Sequence, residues 1–167
     1  MPKAFSRLAK SQGKSVFVDQ SIHNGWTLGR HAESEQTLQK IRERKWDIVV
    51  LQEQSTIPAK SRIERELLMY PPLRKLAGEI RRQGALPILY QTWGRRDHFL
   101  PMNARIRAGY REAAKDAGGI AVVPVGDAWE KAILAGKGSD LFMKDGSHPT
   151  VAGNSLTART FLGFVYP

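Results

Sequence analysis

Apolar and polar positions along this chain fall into two kinds of run that alternate. Short β-rich stretches recur at 15–19, 47–52, 85–91 and 120–125. Two of them, Ile48-Val49-Val50-Leu51 and Ala121-Val122-Val123, are continuously apolar, the pattern of strands covered on both faces in a parallel sheet. Helical spacing takes over between them. Residues 33–45 carry Leu38 and Ile41 on one side, and 62–83 carry Leu67, Leu68, Leu73, Leu76 and Ile80, with Pro71-Pro72 splitting the run in two. Met102, Ile106, Tyr110 and Ala114 recur at steps of four along 101–117, where Gly118-Gly119 ends the helix. A shorter helix is expected over 127–135 and a last one over 149–165, with Pro149 at its first position, where a missing N–H costs nothing. Residues 1–13 read as a charged amphipathic helix.

Strand and helix in alternation predict a three-layer α/β sandwich, a doubly wound parallel sheet of about four strands. With no repeat, low-complexity stretch or linker, residues 1–167 form one domain. Ligands of such sheets bind outside the carboxyl ends of the strands. The polar and glycine-bearing stretches 20–28, 52–55, 92–94 and 126–127 follow the four strand runs and fall there, and a turn at 145–148 can reach the same edge.

Composition narrows the function classes. Apolar residues make up 41% and charged residues 25% of the chain, as in soluble globular proteins. No apolar run approaches the roughly 20 residues of a membrane span, and residues 1–13 lack the apolar core of a signal peptide. The compartment stays open. The absence of cysteine removes disulfides, thiolate nucleophiles and cysteine metal sites. A formal charge of +10 permits a polyanionic partner, but the basic residues are scattered as pairs on helices rather than gathered into a nucleic-acid footprint. His23, His31 and His98 show no metal-ligand spacing, and no glycine pattern cradles a phosphate, so neither metal nor cofactor is expected.

Chemistry concentrates in Asp145-Gly146-Ser147-His148-Pro149. A carboxylate and an imidazole three residues apart on a glycine-containing turn can aim at one point, and the carboxylate then fixes the imidazole's tautomer and stabilises its protonated form. The plainer alternative is an exposed turn whose aspartate caps the last helix. Ordered company favours chemistry: Asn24-Gly25-Trp26-Thr27-Leu28 with His31, Trp46 through Ser55 with its Gln52-Glu53-Gln54, Tyr90-Gln91-Thr92-Trp93, and then the turn with Gly153. In this order, over nearly the whole chain, these segments resemble the SGNH/GDSL esterase superfamily, in an uncharacterised bacterial branch. The resemblance implies His148 as base and Asp145 as its orienter. It implies an oxyanion hole from the Gly25 N–H and a glutamine amide, Gln54 in preference to Gln52, with Trp93 as a further pocket wall. Such a donor is worth roughly 10²–10³ in rate. Small acyl esters, including acetyl groups on carbohydrate, are the implied substrates. Oligomeric state is not readable.

The resembling proteins carry their serine at the end of a first apolar strand, ahead of a helix like residues 1–13. Here the chain starts at that helix, so the strand and serine are expected to be cut off. A start codon inside a longer gene explains this most simply, and a natural pseudoenzyme that retains the pocket as a binding domain is the next account. Val16-Phe17-Val18-Asp19-Gln20-Ser21 offers Ser21 as a substitute nucleophile, at the expense of placing it in one turn with Gly25. In the resembling fold the missing strand lies between 15–19 and 47–52. These two runs therefore either pair directly, leave the sheet gapped, or take a strand from another chain.

Overall fold

The computed structural model describes residues 1–167. Eleven elements follow in chain order: α1 (Pro2–Ser11), α2 (Leu28–Glu33), α3 (Glu35–Arg42), β1 (Ile48–Leu51), α4 (Arg62–Leu68), α5 (Tyr70–Arg82), β2 (Leu86–Tyr90), α6 (Phe99–Asp116), β3 (Ala121–Val123), α7 (Val125–Leu134) and α8 (Val151–Val165). The strands form one parallel sheet in the order β1-β2-β3, with Ile48 beside Leu86 and Leu51 beside Leu89, then Ile88 beside Ala121 and Tyr90 beside Val123.

The pleat of β2 divides the core. Leu89 points into a cluster built from α2, α3, α5 and α6, which includes Leu28, Ile41, Leu73, Leu76, Ile106 and Tyr110. Ile88 and Tyr90 point the opposite way, towards Trp129 of α7 and Phe161 of α8. Helices therefore cover both faces of the sheet, which is why its strands read as continuous apolar runs. The structure is the expected three-layer α/β sandwich.

Three elements differ from expectation. Pro71 and Pro72 do divide 62–83, but as the opening turn of α5, where proline is tolerated. The last helix begins after Thr150, whose hydroxyl accepts from the Gly153 N–H at 3.2 Å, so Pro149 lies outside it. The expectation of about four strands is corrected to three. Residues 15–19 form no strand and belong to no sheet. The physical reason is the absence of a neighbour: no backbone group of residues 15–22 bonds to other backbone, and the sole backbone donor satisfied there, Gln20 N–H, is held by the Asp19 carboxylate. Residues 15–19 and 48–51 do not pair directly.

Candidate active site

The turn at 145–149 is built rigidly. Asp145 Oδ1 accepts from the backbone N–H groups of Ser147 and His148, both at 2.9 Å, while Oδ2 lies 2.6 Å from His148 Nδ1. These donors, the Ser147 N–H foremost, hold the Asp145 carboxyl well below the usual carboxylate range. Gly146 takes the left-handed conformation (φ 66°) that closes the turn. Its surroundings brace it: Trp93 Nε1 donates to Ser147 O at 3.1 Å, Arg96 N donates to Gly146 O at 2.9 Å, and Met143 N donates to His148 O at 2.8 Å. The backbone of Met143 also takes a bond from the Arg96 guanidinium. Beneath it, Trp93 lies flat on buried Trp129, ring centroids 4.0 Å apart. Gly153 lets α8 come this close, since a Cβ there would stand 2.8 Å from the Trp129 ring and 2.5 Å from Leu141 O.

Chemical consequences follow. A carboxylate on Nδ1 places the ring proton there and leaves Nε2 as the basic nitrogen. Nε2 has no hydrogen-bond partner, and the His148 side chain is 74% exposed. His148 and Asp145 are thus brought together with Nε2 left open.

The glutamine end of β1 is equally ordered. Gln54 Oε1 accepts from Thr56 N at 2.9 Å and Thr56 Oγ1 at 2.7 Å. A backbone N–H can only donate, so the amide oxygen is committed to Thr56 and the Nε2 hydrogens remain free to donate elsewhere. Gln52, at the tip of the strand, is exposed and makes no side-chain hydrogen bond. Gly25 sits in an exposed turn at φ 73°, closed by Trp26 N–H on His23 O. Gly25, Gln52, Gln54, Trp93 and His148 line one cavity of about 870 Å³, which continues between residues 15–22 and β1.

Ser21 is placed differently. Its hydroxyl lies 3.2 Å from Thr37 Oγ1, which in turn lies 3.0 Å from His31 Nδ1, and it makes no bond to His148.

Glu53 has a clear structural part. Its side chain is 0% exposed, and Oε1 receives both Leu28 N–H (3.1 Å) and Gln54 N–H (2.6 Å), tying the glycine loop to the end of β1. Oε2 is buried without a partner. Burial pushes the carboxyl up to about 7, against the lowering pull of those two N–H groups. An acid flanked by two amides after an apolar strand is the only signal the sequence offers. Arg96, which props the turn, has no such signal.

A parallel sheet between two helical layers, with an Asp–His turn just before the final helix, is an SGNH-like α/β fold. Among solved structures, a protein from Slackia heliotrinireducens assigned as an SGNH hydrolase is 25% identical, with a TM-score of 0.75 over 97% of this chain and 90% of that one. A DUF4886 family protein from Bacteroides uniformis, 16% identical, shares the fold with a TM-score of 0.84 over 99% of this chain and 77% of its own. No family model and no curated protein matches the sequence. No helix is long and apolar enough to cross a membrane.

Proposed function

We propose that this domain is built for serine-type hydrolysis of small acyl esters, acetylated carbohydrate among them. The observation that carries the reading is the 2.6 Å contact between Asp145 Oδ2 and His148 Nδ1 with Nε2 left free, within an SGNH-like fold. A serine hydroxyl brought to Nε2 gives up its proton there as its oxygen attacks the ester carbonyl. The tetrahedral oxyanion is met by Gln54 Nε2–H and Gly25 N–H. Collapse expels the alcohol with the proton from Nε2, and water then cleaves the acyl-serine by the same route. Asp145 holds the imidazolium that forms in each half-reaction. In this reading the serine is the member still to be supplied, in keeping with Ser21 bonding Thr37 rather than His148.

The test is hydrolysis of p-nitrophenyl acetate by this chain, by its Ser21→Ala variant, and by the chain extended with in-frame upstream residues that end in a serine turn. The extended chain is expected to be active and to lose at least about 10³-fold on His148→Ala. The chain alone is expected to be inactive, with or without Ser21. If the extended chain is inactive with its serine in place, the second reading stands: a binding domain that kept the pocket without the chemistry. Its anionic-ligand version rests on the +10 charge.

A further inference from the structure

The two donors that meet the oxyanion, the Gly25 N–H and the Gln54 amide, come from separate parts of the chain, and one hydrogen bond joins those parts. Between residues 23–28 and 48–55 the only such bond runs from Leu28 N–H to Glu53 Oε1, at 3.1 Å. The same oxygen takes Gln54 N–H at 2.6 Å. A single atom therefore sets how far the start of α2, three residues beyond Gly25, stands from the backbone of Gln54. The surroundings of this junction are fixed. Leu28 is buried in the core with Leu73 and Leu76, and Glu53 N–H donates to the hydroxyl of fully buried Tyr110 at 3.2 Å. The Gln54 amide oxygen is held by Thr56. The Gly25 turn, by contrast, is exposed and closed by one backbone bond of its own.

We propose that Glu53 is a positioning residue of the hydrolytic site, with Oε1 setting the spacing of the Gly25 and Gln54 donors around the oxyanion. The catalytic consequence rests on the hydrolase reading, whereas the junction stands on the two bonds to Oε1. The kind of residue supports the assignment. A carboxyl at 0% exposure, with Oε2 unpartnered, is an unfavourable way to fill space. Methionine or leucine would fill it without desolvating an acid, but neither can gather two N–H groups on one atom. With no exposed atom Glu53 cannot touch an ester, so it acts through the donors it holds. Such donors stabilise the transition state only when aimed at the place where charge develops. A misplacement of about 1 Å can lower the rate on the order of 10²-fold.

Crystal structures of this chain and kinetics of the serine-bearing extended chain test this together, in Glu53→Gln, Glu53→Asp and Glu53→Met. Glutamine keeps an acceptor oxygen at the same reach, aspartate draws it back by one methylene, and methionine removes it. The distance from Gly25 N to Gln54 Nε2 is expected to hold within about 0.5 Å in Glu53→Gln and to change by more than about 1 Å in Glu53→Met. With p-nitrophenyl acetate, Glu53→Gln should keep kcat within about threefold, and Glu53→Met should lower it at least about tenfold with KM held within about twofold. In a Gln54→Ala background the effect of Glu53→Met should shrink by at least about threefold, because one of the two donors it misplaces is already gone. Glu53→Asp should fall between the other two, and its spacing and kcat decide the matter if Glu53→Met does not fold. Unchanged spacing, a rise in KM with kcat unchanged, or an equal loss with and without Gln54 would each overturn the proposal. An active wild type whose spacing is indifferent to Glu53 sinks this proposal alone. An inactive serine-bearing wild type whose spacing follows Glu53 sinks the hydrolase reading, and the positioning role with it, and leaves Oε1 as the junction of the two segments.

Discussion

The turn at 145–149 and the segment at 15–22 border the same cavity and are held in opposite ways. In the turn, backbone and side chain are locked together: Asp145 takes three bonds, Trp93 and Arg96 pin the carbonyls, and a buried tryptophan stack lies underneath. The segment has comparable β-forming residues and no backbone partner, and it is tethered from one side by an ion pair and a cation–π contact. One border of the cavity is preorganised by backbone and side chain together. The other is held by side chains alone.

Trp129→Ala is expected to strike hardest at this contrast. Its side chain is fully buried, stacks on Trp93, meets Phe142 edge-on at 4.9 Å and donates Nε1–H to Thr157 Oγ1 at 3.3 Å. Removing it should cost about 3–5 kcal/mol in urea unfolding. A loss under about 1 kcal/mol would mean that the turn does not depend on the platform beneath it.

Much of the rigid border was legible in the sequence and little of the open one was. The Asp145–His148 pairing follows from spacing and turn chemistry, and the apolar runs at 48–51 and 121–123 announce a covered parallel sheet. Val16-Phe17-Val18 carries the same local preference, yet strand pairing is non-local and the segment pairs with no strand. Glu53 was hidden for a related reason: the two N–H groups that give it meaning come from Leu28 and Gln54, and only the fold brings Leu28 to it. Pro149 fits a helix start by local rules, but the Thr150 cap wins because its hydroxyl satisfies a free N–H of the first turn.

Glu53 joins the loop that follows 15–22 to the end of β1, and its ionisation provides a second, smaller probe. Its folded pKa of about 7 lies above the ordinary 4.5. Between those values the unfolded chain has lost a proton that the folded protein keeps. Stability should therefore fall as pH rises through this window and level off above about 7. The full difference is on the order of 3 kcal/mol. Glu53→Gln mimics the neutral acid, so the variant should gain on the wild type from pH 4.5 to 7 in urea titrations at each pH. Parallel curves for the two proteins would show that the carboxyl is not desolvated, and that the loop is held by something other than this clamp.

The smallest expected effect lies on the loosely held border. Phe17 is 63% exposed, with the Arg44 guanidinium 4.0 Å from its ring centroid and the Trp46 ring 5.9 Å away. Phe17→Ala should cost no more than about 0.5 kcal/mol in urea unfolding, the scale of an ordinary surface substitution. A loss above about 1 kcal/mol would mean that residues 15–22 are packed as firmly as the turn, and the contrast between the two borders would fall.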